Sequence, residues 1–236
     1  MIKTDTIRFF LVVLTLGYLN TTFAQSLKPV ETPVSRFMLM VDADMHNLME
    51  LDAKTTYALA MQLKNDAALQ LMNESFEILQ SMLNDSTNFS ILNVDALKGV
   101  VKYSLMGFPI GTLKKAAKNG KNEQYVQVDI MVESPQSSTK TSQVSTELAS
   151  GEEVSQGVER MKIRPQVRVI LKFADANGKT ISKYTGKYRH DEKFKVNANT
   201  IGMSGFRLTT DIVAEPIPYH YFLTKAIEDL IQQLPK

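Results

Sequence analysis

The chain of 236 residues contains no cysteine, no tryptophan and only three histidines. Without thiols it can form neither disulfide bonds nor thiolate metal centres, and it has no cysteine nucleophile and no lipidated N-terminal cysteine. Its 27 basic and 25 acidic residues give a formal charge of +2, too small for a strong field that would attract nucleic acid. These absences exclude several function classes before any motif is considered.

The rest of the composition is that of an ordinary globular protein. Hydrophobic residues make up 44% of the chain and charged residues 22%, with 11 glycines and 8 prolines. The length suits one domain of unexceptional size. Because no disulfide can stabilise the fold, we expect stability to come from a hydrophobic core, which a chain of this length can build.

The N-terminal segment, residues 1–24, has the features of a secretory signal peptide. Lys3 and Arg8 precede an apolar run over residues 9–19, and the segment ends in small and polar residues up to Ala24. The run is shorter than the roughly 20 apolar residues that a membrane span needs. The alternatives are a buried N-terminal helix or an uncleaved anchor. We expect cleavage after Ala24 and a periplasmic or secreted protein, with no transmembrane segment in the mature chain.

The remaining chain divides into an extended leader and one domain. Residues 25–35, with Pro29 and Pro33, form the leader, and residues 36–236 form a single α/β domain. Residues 133–160 are rich in Ser, Thr, Gln and Glu, which predicts a flexible insertion on the surface. The alternative is a pair of amphipathic strands that insert in a bilayer, but residues 141–148 supply too few alternating positions for such strands.

Hydrophobic periodicity predicts both strands and helices in the domain. Asn177-Gly178 between two alternating runs is a strong signal for a β-hairpin over residues 167–188. The other predicted elements are strands at 36–41, 89–94, 124–132, 194–196 and 206–213, a long amphipathic helix at 52–83, a short helix at 113–118 and a final helix at 221–234. This order predicts an α/β (α+β) fold: a mixed β-sheet packed by the long helix of the N-terminal half and by the C-terminal helix.

Only one position places a histidine beside carboxylates. His190, Asp191 and Glu192 follow one another, and such residues can act as an acid–base pair or hold a metal ion. Neighbouring side chains in a strand or turn point apart, so they do not converge on one point. We therefore interpret this cluster as a solvated charged turn and keep the three residues as candidates only.

Three further sets of residues carry weaker signals. Asp42, Asp44, His46 and Glu50 offer oxygen ligands to a cation, but a calcium loop needs six or more oxygens and usually a glycine, so we prefer an acidic helix start. His220 lies among aromatic residues, which favours packing in the core or at an interface.

Four methionines lie close together in the sequence, at Met38, Met40, Met45 and Met49. They could line an adaptable protein-binding groove, but we prefer the interpretation that they are flexible residues filling the core.

No nucleotide-binding, zinc-protease or serine-hydrolase motif occurs in the sequence. The glycine-rich stretch at residues 202–205 lacks the lysine and the spacing of a phosphate-binding loop and favours a turn. We therefore predict neither a cofactor nor a bound metal.

The stretch at residues 79–97, a helix followed by STNFSILNVDAL, resembles a unit of bacterial envelope proteins. These are the N-terminal domain of the TolB periplasmic protein and the periplasmic domain of the curli secretion channel. The hairpin VRVILKFADANGKTI and the closing AIEDLIQQL follow in a compatible order. The chain departs from both, since it has neither the lipid-bearing cysteine of the curli channel nor the downstream β-propeller of TolB. The resemblance implies an envelope module that binds other proteins and carries no catalytic residues.

These observations together favour a non-enzymatic envelope protein that works through protein–protein contacts, in roles such as envelope assembly or secretion. Its partners would be envelope proteins that the sequence does not identify, and its oligomeric state is open. Two alternatives remain. One is a carrier of a small ligand in an apolar pocket between sheet and helices, and the other is a hydrolase or metal-dependent enzyme with its site near His190.

Expression of the full chain with its own signal peptide in a Gram-negative host should yield a mature protein that begins at Gln25. Removing Lys3, Arg8 and Asp5 with the signal peptide lowers the formal charge from +2 to +1. Intact-mass measurement and N-terminal sequencing of the periplasmic fraction test this. The variant Ala24→Arg should remain uncleaved, because the processing site requires a small residue. Recovery of the wild-type chain at full length would contradict the prediction.

Overall fold

The computed structural model describes residues 27, 30–42, 45, 48–147, 153–199, 208–212 and 215–235. The signal segment 1–24 and residues 25, 26, 28 and 29 of the leader lie outside these residues. The end of the leader forms a short strand, which is the first regular element of the described chain.

Four α-helices and ten strands make up the described structure. The helices are α1 (Ala53–Met61), α2 (Asp66–Ser86), α3 (Leu113–Asn119) and α4 (Tyr219–Gln233), with one 3₁₀ helix at Val94–Leu97. The strands are β1 (Glu31–Thr32), β2 (Val34–Val41), β3 (Ser90–Ile91), β4 (Gln124–Glu133), β5 (Gln136–Glu147), β6 (Glu153–Ile163), β7 (Gln166–Asp175), β8 (Thr180–Arg189), β9 (Phe194–Asn199) and β10 (Leu208–Ile212). The α/β class and the β7–β8 hairpin are confirmed. None of the described helices is long and apolar enough to cross a membrane.

The central sheet has the strand order β2-β4-β7-β8. β2 runs parallel to β4, whereas β4–β7 and β7–β8 are antiparallel. A separate parallel pair joins β1 to β3. The sheet is therefore mixed, as the element order predicts.

One face of the central sheet, here called the inner face, forms the main core. Buried residues alternate along β2, β4 and β7, as expected for strands that are apolar on one side. α2 and α4 pack on this face with their apolar stripes. The Phe37 ring of β2 contacts Phe76 of α2 at a centroid distance of 5.4 Å and stacks on Phe108 at 5.1 Å. The predicted packing by a helix of the N-terminal half, here α2, and by the C-terminal helix is thus confirmed.

The single helix predicted at residues 52–83 is wrong, because the structure has two helices there. Gln62 adopts a left-handed conformation (φ 53°) that ends α1. Asn65 then starts α2, since its side-chain oxygen accepts a hydrogen bond from the Ala68 N–H at 2.9 Å. The break contains neither glycine nor proline, so the usual signals of a helix end are missing.

The strand predicted at residues 89–94 is also shorter in the structure. Only Ser90–Ile91 forms a strand, and the 3₁₀ helix begins at Val94. Asn93 ends the extended segment, because its side chain accepts a hydrogen bond from the Asp95 N–H at 3.1 Å. A capping side chain therefore competes here with strand pairing.

The prediction of a loop at residues 133–160 is wrong, since this segment forms β5 and β6. These strands belong to a second antiparallel sheet with the order β10-β9-β6-β5. The pairing Glu133↔Gln166 in the central sheet is followed by Gln136↔Ile163 in the second. β4 therefore continues into β5, β6 into β7, and β8 into β9. Sequence patterns did not reveal these strands, because most of their side chains are polar and strand prediction relies on the alternation of apolar residues.

Prolines mark the boundary between the two sheets. Ser134-Pro135 separates β4 from β5, and Arg164-Pro165 separates β6 from β7. Proline has no N–H to donate, so the ladder between these strands is interrupted there. One bond remains at this boundary, from the His190 N–H to the Pro165 carbonyl at 2.9 Å.

The opposite face of the central sheet, here called the outer face, carries a small second core at one end. Tyr125 at the start of β4 and Ala174 at the end of β7 point to this side, because they share the alternation of Gln127 and Lys172. α3 and the 3₁₀ helix cover them through Leu97, Leu113 and Ala116. Thr112 caps α3, the short helix predicted at residues 113–118, and its hydroxyl oxygen accepts a hydrogen bond from the Lys115 N–H at 3.3 Å. The remainder of the outer face is not covered by a described helix.

Substituting Gly186 of β8 should destabilise the protein strongly. A Cβ at this position would lie 2.1 Å from the Ala226 carbonyl oxygen and 2.5 Å from the Leu230 Cβ, so α4 would have to move. Gly186→Ala should therefore lower the free energy of unfolding by about 3 kcal/mol. Urea denaturation measures this.

The matched control is Thr185→Ala, because Thr185 is the neighbouring residue of β8 and points to the outer face. It should cost less than about 1 kcal/mol. Equal costs for the two variants would contradict close packing of α4 on β8.

Candidate interaction surface

The structure does not bring together the side chains of His190, Asp191 and Glu192. His190 lies between β8 and β9, and its ring is 5.2 Å from the Phe194 ring and 6.0 Å from the Phe222 ring. Its Nδ1 accepts a hydrogen bond from the backbone N–H of Glu192 at 3.2 Å. The side chains of Asp191 and Glu192 are exposed. The ring is thus held by aromatic and backbone contacts, and neither carboxylate orients it as an acid–base pair requires.

An aromatic cluster beside His190 explains this arrangement. The Tyr188 ring lies 5.7 Å from Tyr221 and 5.5 Å from Phe222, both on α4. A hydrogen bond with Tyr221, followed by burial, raises the pKa of Tyr188 to about 12. The cluster therefore packs α4 against β8 close to the boundary between the two sheets.

His190→Ala should lower the free energy of unfolding by about 1 kcal/mol, because the ring loses its aromatic contacts. Asp191→Ala and Glu192→Ala should each change it by less than about 0.5 kcal/mol, since both side chains are exposed. Thermal and urea denaturation of the three variants provide the measurement. A loss at Asp191 as large as the loss at His190 would show that the carboxylate holds the ring, contrary to this geometry.

The other acidic candidates have separate surroundings. The Asp42 carboxylate accepts hydrogen bonds from the N–H and the hydroxyl of Ser134, at 2.8 and 3.1 Å, and so joins the end of β2 to the boundary after β4. Glu50 has a positive φ of 54° in a turn. Asp44, His46 and the stretch 202–205 lie outside the described residues. Among those that are described, no three His, Asp or Glu side chains are grouped as metal ligands would be.

His220 lies where α4 crosses α2, at a contact between helices. Its Nε2 is 3.2 Å from a carboxylate oxygen of Glu74, and both side chains are about half-exposed. Next to it, the buried Tyr219 hydroxyl lies 3.0 Å from the Ser75 hydroxyl. Burial raises the pKa of Tyr219 well above its usual range. This polar contact joins α2 to α4 inside an otherwise apolar interface.

The four methionines divide between two environments. Met45 and Met49 are fully buried and fill the main core. Met38 and Met40 are half-buried on the outer face of β2. Core filling therefore accounts for only one pair.

Side chains of neighbouring strands form four rows across the part of the outer face that no described helix covers. The register places side chains from all four strands side by side. The rows are Arg36-Gln127-Lys172-Lys183, Met38-Asp129-Ile170-Thr185, Met40-Met131-Arg168-Lys187 and, from three strands, Glu133-Gln166-Arg189. Sequence patterns missed this surface because the rows depend on strand order and register. The alternation within β2, β4 and β7 was the only available signal.

The two middle rows of the outer face contain the apolar side chains Met38, Met40, Met131 and Ile170 together with the charged residues Asp129 and Arg168. Both charged residues form ion pairs. The Arg36 guanidinium is 2.9 Å from the Asp129 carboxylate, and Arg168 pairs with Glu133. The Glu133 carboxylate also accepts a hydrogen bond from the Gln166 amide at 2.7 Å.

Basic residues dominate the side of the outer face near β8. They are Lys172, Lys183, Lys187 and Arg189, and within the described chain none of their side-chain cationic groups has a carboxylate oxygen within 4 Å. The Lys187 backbone N–H does donate a hydrogen bond to the Asp229 carboxylate, at 2.8 Å. The three basic residues that lie on β8, Lys183, Lys187 and Arg189, are exposed. The outer face is therefore a partly apolar surface with an excess of positive charge.

A cavity of about 180 Å³ lies along the edge of β2, next to the outer face. Residues 37–40 all line the cavity. Because successive side chains of a strand point to opposite faces, a cavity that touches all four must lie along the edge of β2. Its other walls come from α1, Met72, Ser104, Met106 and Ile110. Leu105 beside it is 77% exposed. Pockets for small ligands commonly exceed about 300 Å³, so this cavity is small for the carrier alternative.

A second depression of about 370 Å³ lies on α1 and the turn after it, lined by Lys54, Tyr57 and Leu63 among others. No sheet residue contributes to it. It is therefore not the pocket between sheet and helices that a small-ligand carrier would need.

No protein-family model matches the chain, and no curated protein is similar to it in sequence.

Proposed function

We propose that this chain is an exported envelope protein that binds another protein through the outer face of its central sheet. One observation carries the proposal: a sheet face that no described helix covers combines apolar side chains in its two middle rows with four basic side chains that form no ion pair among the described residues. The signal segment 1–24 supports the exported location, and the resemblance of residues 79–97 to envelope modules supports a role in the envelope.

The chemistry of the face indicates the kind of partner. Protein interfaces commonly have an apolar centre surrounded by polar groups. Met38, Met40 and Met131 adapt to partners of different shape, because thioether side chains are flexible and polarisable. Lys183 and Lys187 would attract carboxylates and accelerate association through long-range steering. The expected partner therefore presents an apolar strip bordered by Asp and Glu.

A photo-crosslinking residue placed at Met131 tests the proposal in living cells. We expect a specific cross-linked product from Met131, and none from the same residue placed at Gln232, which is exposed on α4 on the opposite side of the sheet. The double variant Lys183→Glu and Lys187→Glu should reduce the product from Met131 at least 10-fold.

The matched control is Lys114→Glu with Lys115→Glu on α3, which makes the same change in charge away from the β8 edge. This control should leave the cross-link unchanged. A product that is equally strong from Gln232, or that survives the Lys183 and Lys187 reversal, would refute binding through the outer face.

A further inference from the structure

We infer that the partner seated on the outer face is a second copy of this chain, which presents its α2 helix. This inference rests on the proposed function, because it uses the same face, and it names the occupant. The argument comes from the distribution of charge over the two sides of the molecule.

α2 is acidic along its whole length. From Asp66 to Ser86 it contains four carboxylates and no Lys, Arg or His. Asp66, Glu77 and Asp85 lie on the exposed side of the helix at nearly helical spacing, in line with the polar residues Gln70, Asn73 and Ser81. We call this line of residues the acidic stripe.

The acidic stripe and the outer face point in opposite directions. α2 buries Phe76 and Leu79 against the inner face of the sheet, so its exposed side faces away from the sheet. The basic side of the molecule and its acidic side are thus separated by the two packed layers. The formal charge of the whole chain, only +2, conceals this separation.

The charges of the two surfaces are complementary. Within the described residues, no basic group lies within 4 Å of the Asp66 or Glu77 carboxylate, and the ammonium groups of Lys183 and Lys187 form no ion pair, although the Lys187 backbone N–H donates to the Asp229 carboxylate at 2.8 Å. Opposite potentials on two surfaces favour their association and suppress like-charged alternatives. In a head-to-tail contact, each unpaired group therefore meets a charge of the opposite sign.

The dimensions and the apolar residues also match. α2 has 21 residues and is about 30 Å long at 1.5 Å per residue. The four rows of the outer face extend over about 20 Å along the strands, so one helix spans them all. Ile78 and Met82 are partly buried and pack against the main core to one side of the acidic stripe. Only their exposed parts can contact the Met38 and Ile170 region of the next copy.

The contact joins two different surfaces, so it is heterologous, and a pair of copies keeps one free outer face and one free α2. Association of this kind continues from copy to copy unless the arrangement closes into a ring. Because exposed ion pairs are screened by salt, the association should be strongest at low ionic strength.

Sedimentation velocity of the mature protein over a concentration series tests the inference. In 50 mM salt the weight-average mass should rise with concentration, and in 500 mM salt it should return toward the monomer. Two double variants each reverse the charge on one side of the contact. The face variant carries Lys183→Glu and Lys187→Glu, and the helix variant carries Glu77→Lys and Asp85→Lys.

Each variant alone should associate at least 10-fold more weakly than the wild type, because each then opposes like charges. An equimolar mixture of the two should associate again, since every contact in an alternating assembly joins opposite charges. Lys114→Glu with Lys115→Glu should associate as the wild type does. Circular dichroism and urea denaturation establish that all variants are folded.

A wild-type protein that stays monomeric in 50 mM salt, or a mixture that fails to associate, overturns the inference. The proposed function is judged separately by the Met131 cross-link. A cross-link to a different protein together with a monomeric purified chain would retain the proposed function and reject the second copy. If Met131 gives no specific product in cells, the proposed function fails as well.

Discussion

The antiparallel pairing of β4 with β7 is the interaction on which the rest of the structure depends. It runs without a break over ten residue pairs, from Gln124↔Asp175 to Glu133↔Gln166. β2 and β8 attach to its two sides, and its far end leads directly into β5 and β6. Because side chains alternate along a strand, this one register decides which residues enter the main core and which reach the outer face.

The two faces of this pair have different consequences for stability and for recognition. The inner face contributes Val126, Val128 and Ile130 from β4 alone, all fully buried beneath α2 and α4. In a protein without disulfide bonds, this burial is the principal source of stability. Among the described helices, only α3 and the 3₁₀ helix cover the outer face, and only at one end. The remaining surface is thus available for contacts without any rearrangement of the core.

Local patterns in the sequence anticipated much of the fold. The hairpin at 167–188, the strand at 124–132, the short helix after Thr112 and the final helix all carry strong periodicity or turn signals, and the structure has them. The failures have physical causes. Gln62 and Asn65 divide a helix without glycine or proline. β5 has a single apolar residue, Val144, and the four apolar residues of β6 do not alternate along the strand, so hydrophobic patterns could not reveal this pair.

The candidate site was harder to predict than the fold. His190, Asp191 and Glu192 attracted attention because they are adjacent in sequence, yet adjacent residues rarely converge in space. The outer face has the opposite character, since Met40, Met131 and Arg168 are distant in sequence and meet only through the register. Its location depends on the parallel pairing of β2 with β4, which is separated from β2 by more than 80 residues. No local signal records such a pairing.

The prolines between the two sheets bear on how this chain tolerates changes in length. Pro135 and Pro165 interrupt the ladder on both strands of the same ribbon, yet the pairing keeps one register across them, from Glu133↔Gln166 to Gln136↔Ile163. Adding or removing two residues in β5 together with two in β6 would preserve which side each remaining side chain occupies. The length of the second sheet can therefore change while the central sheet, with both its faces, stays the same.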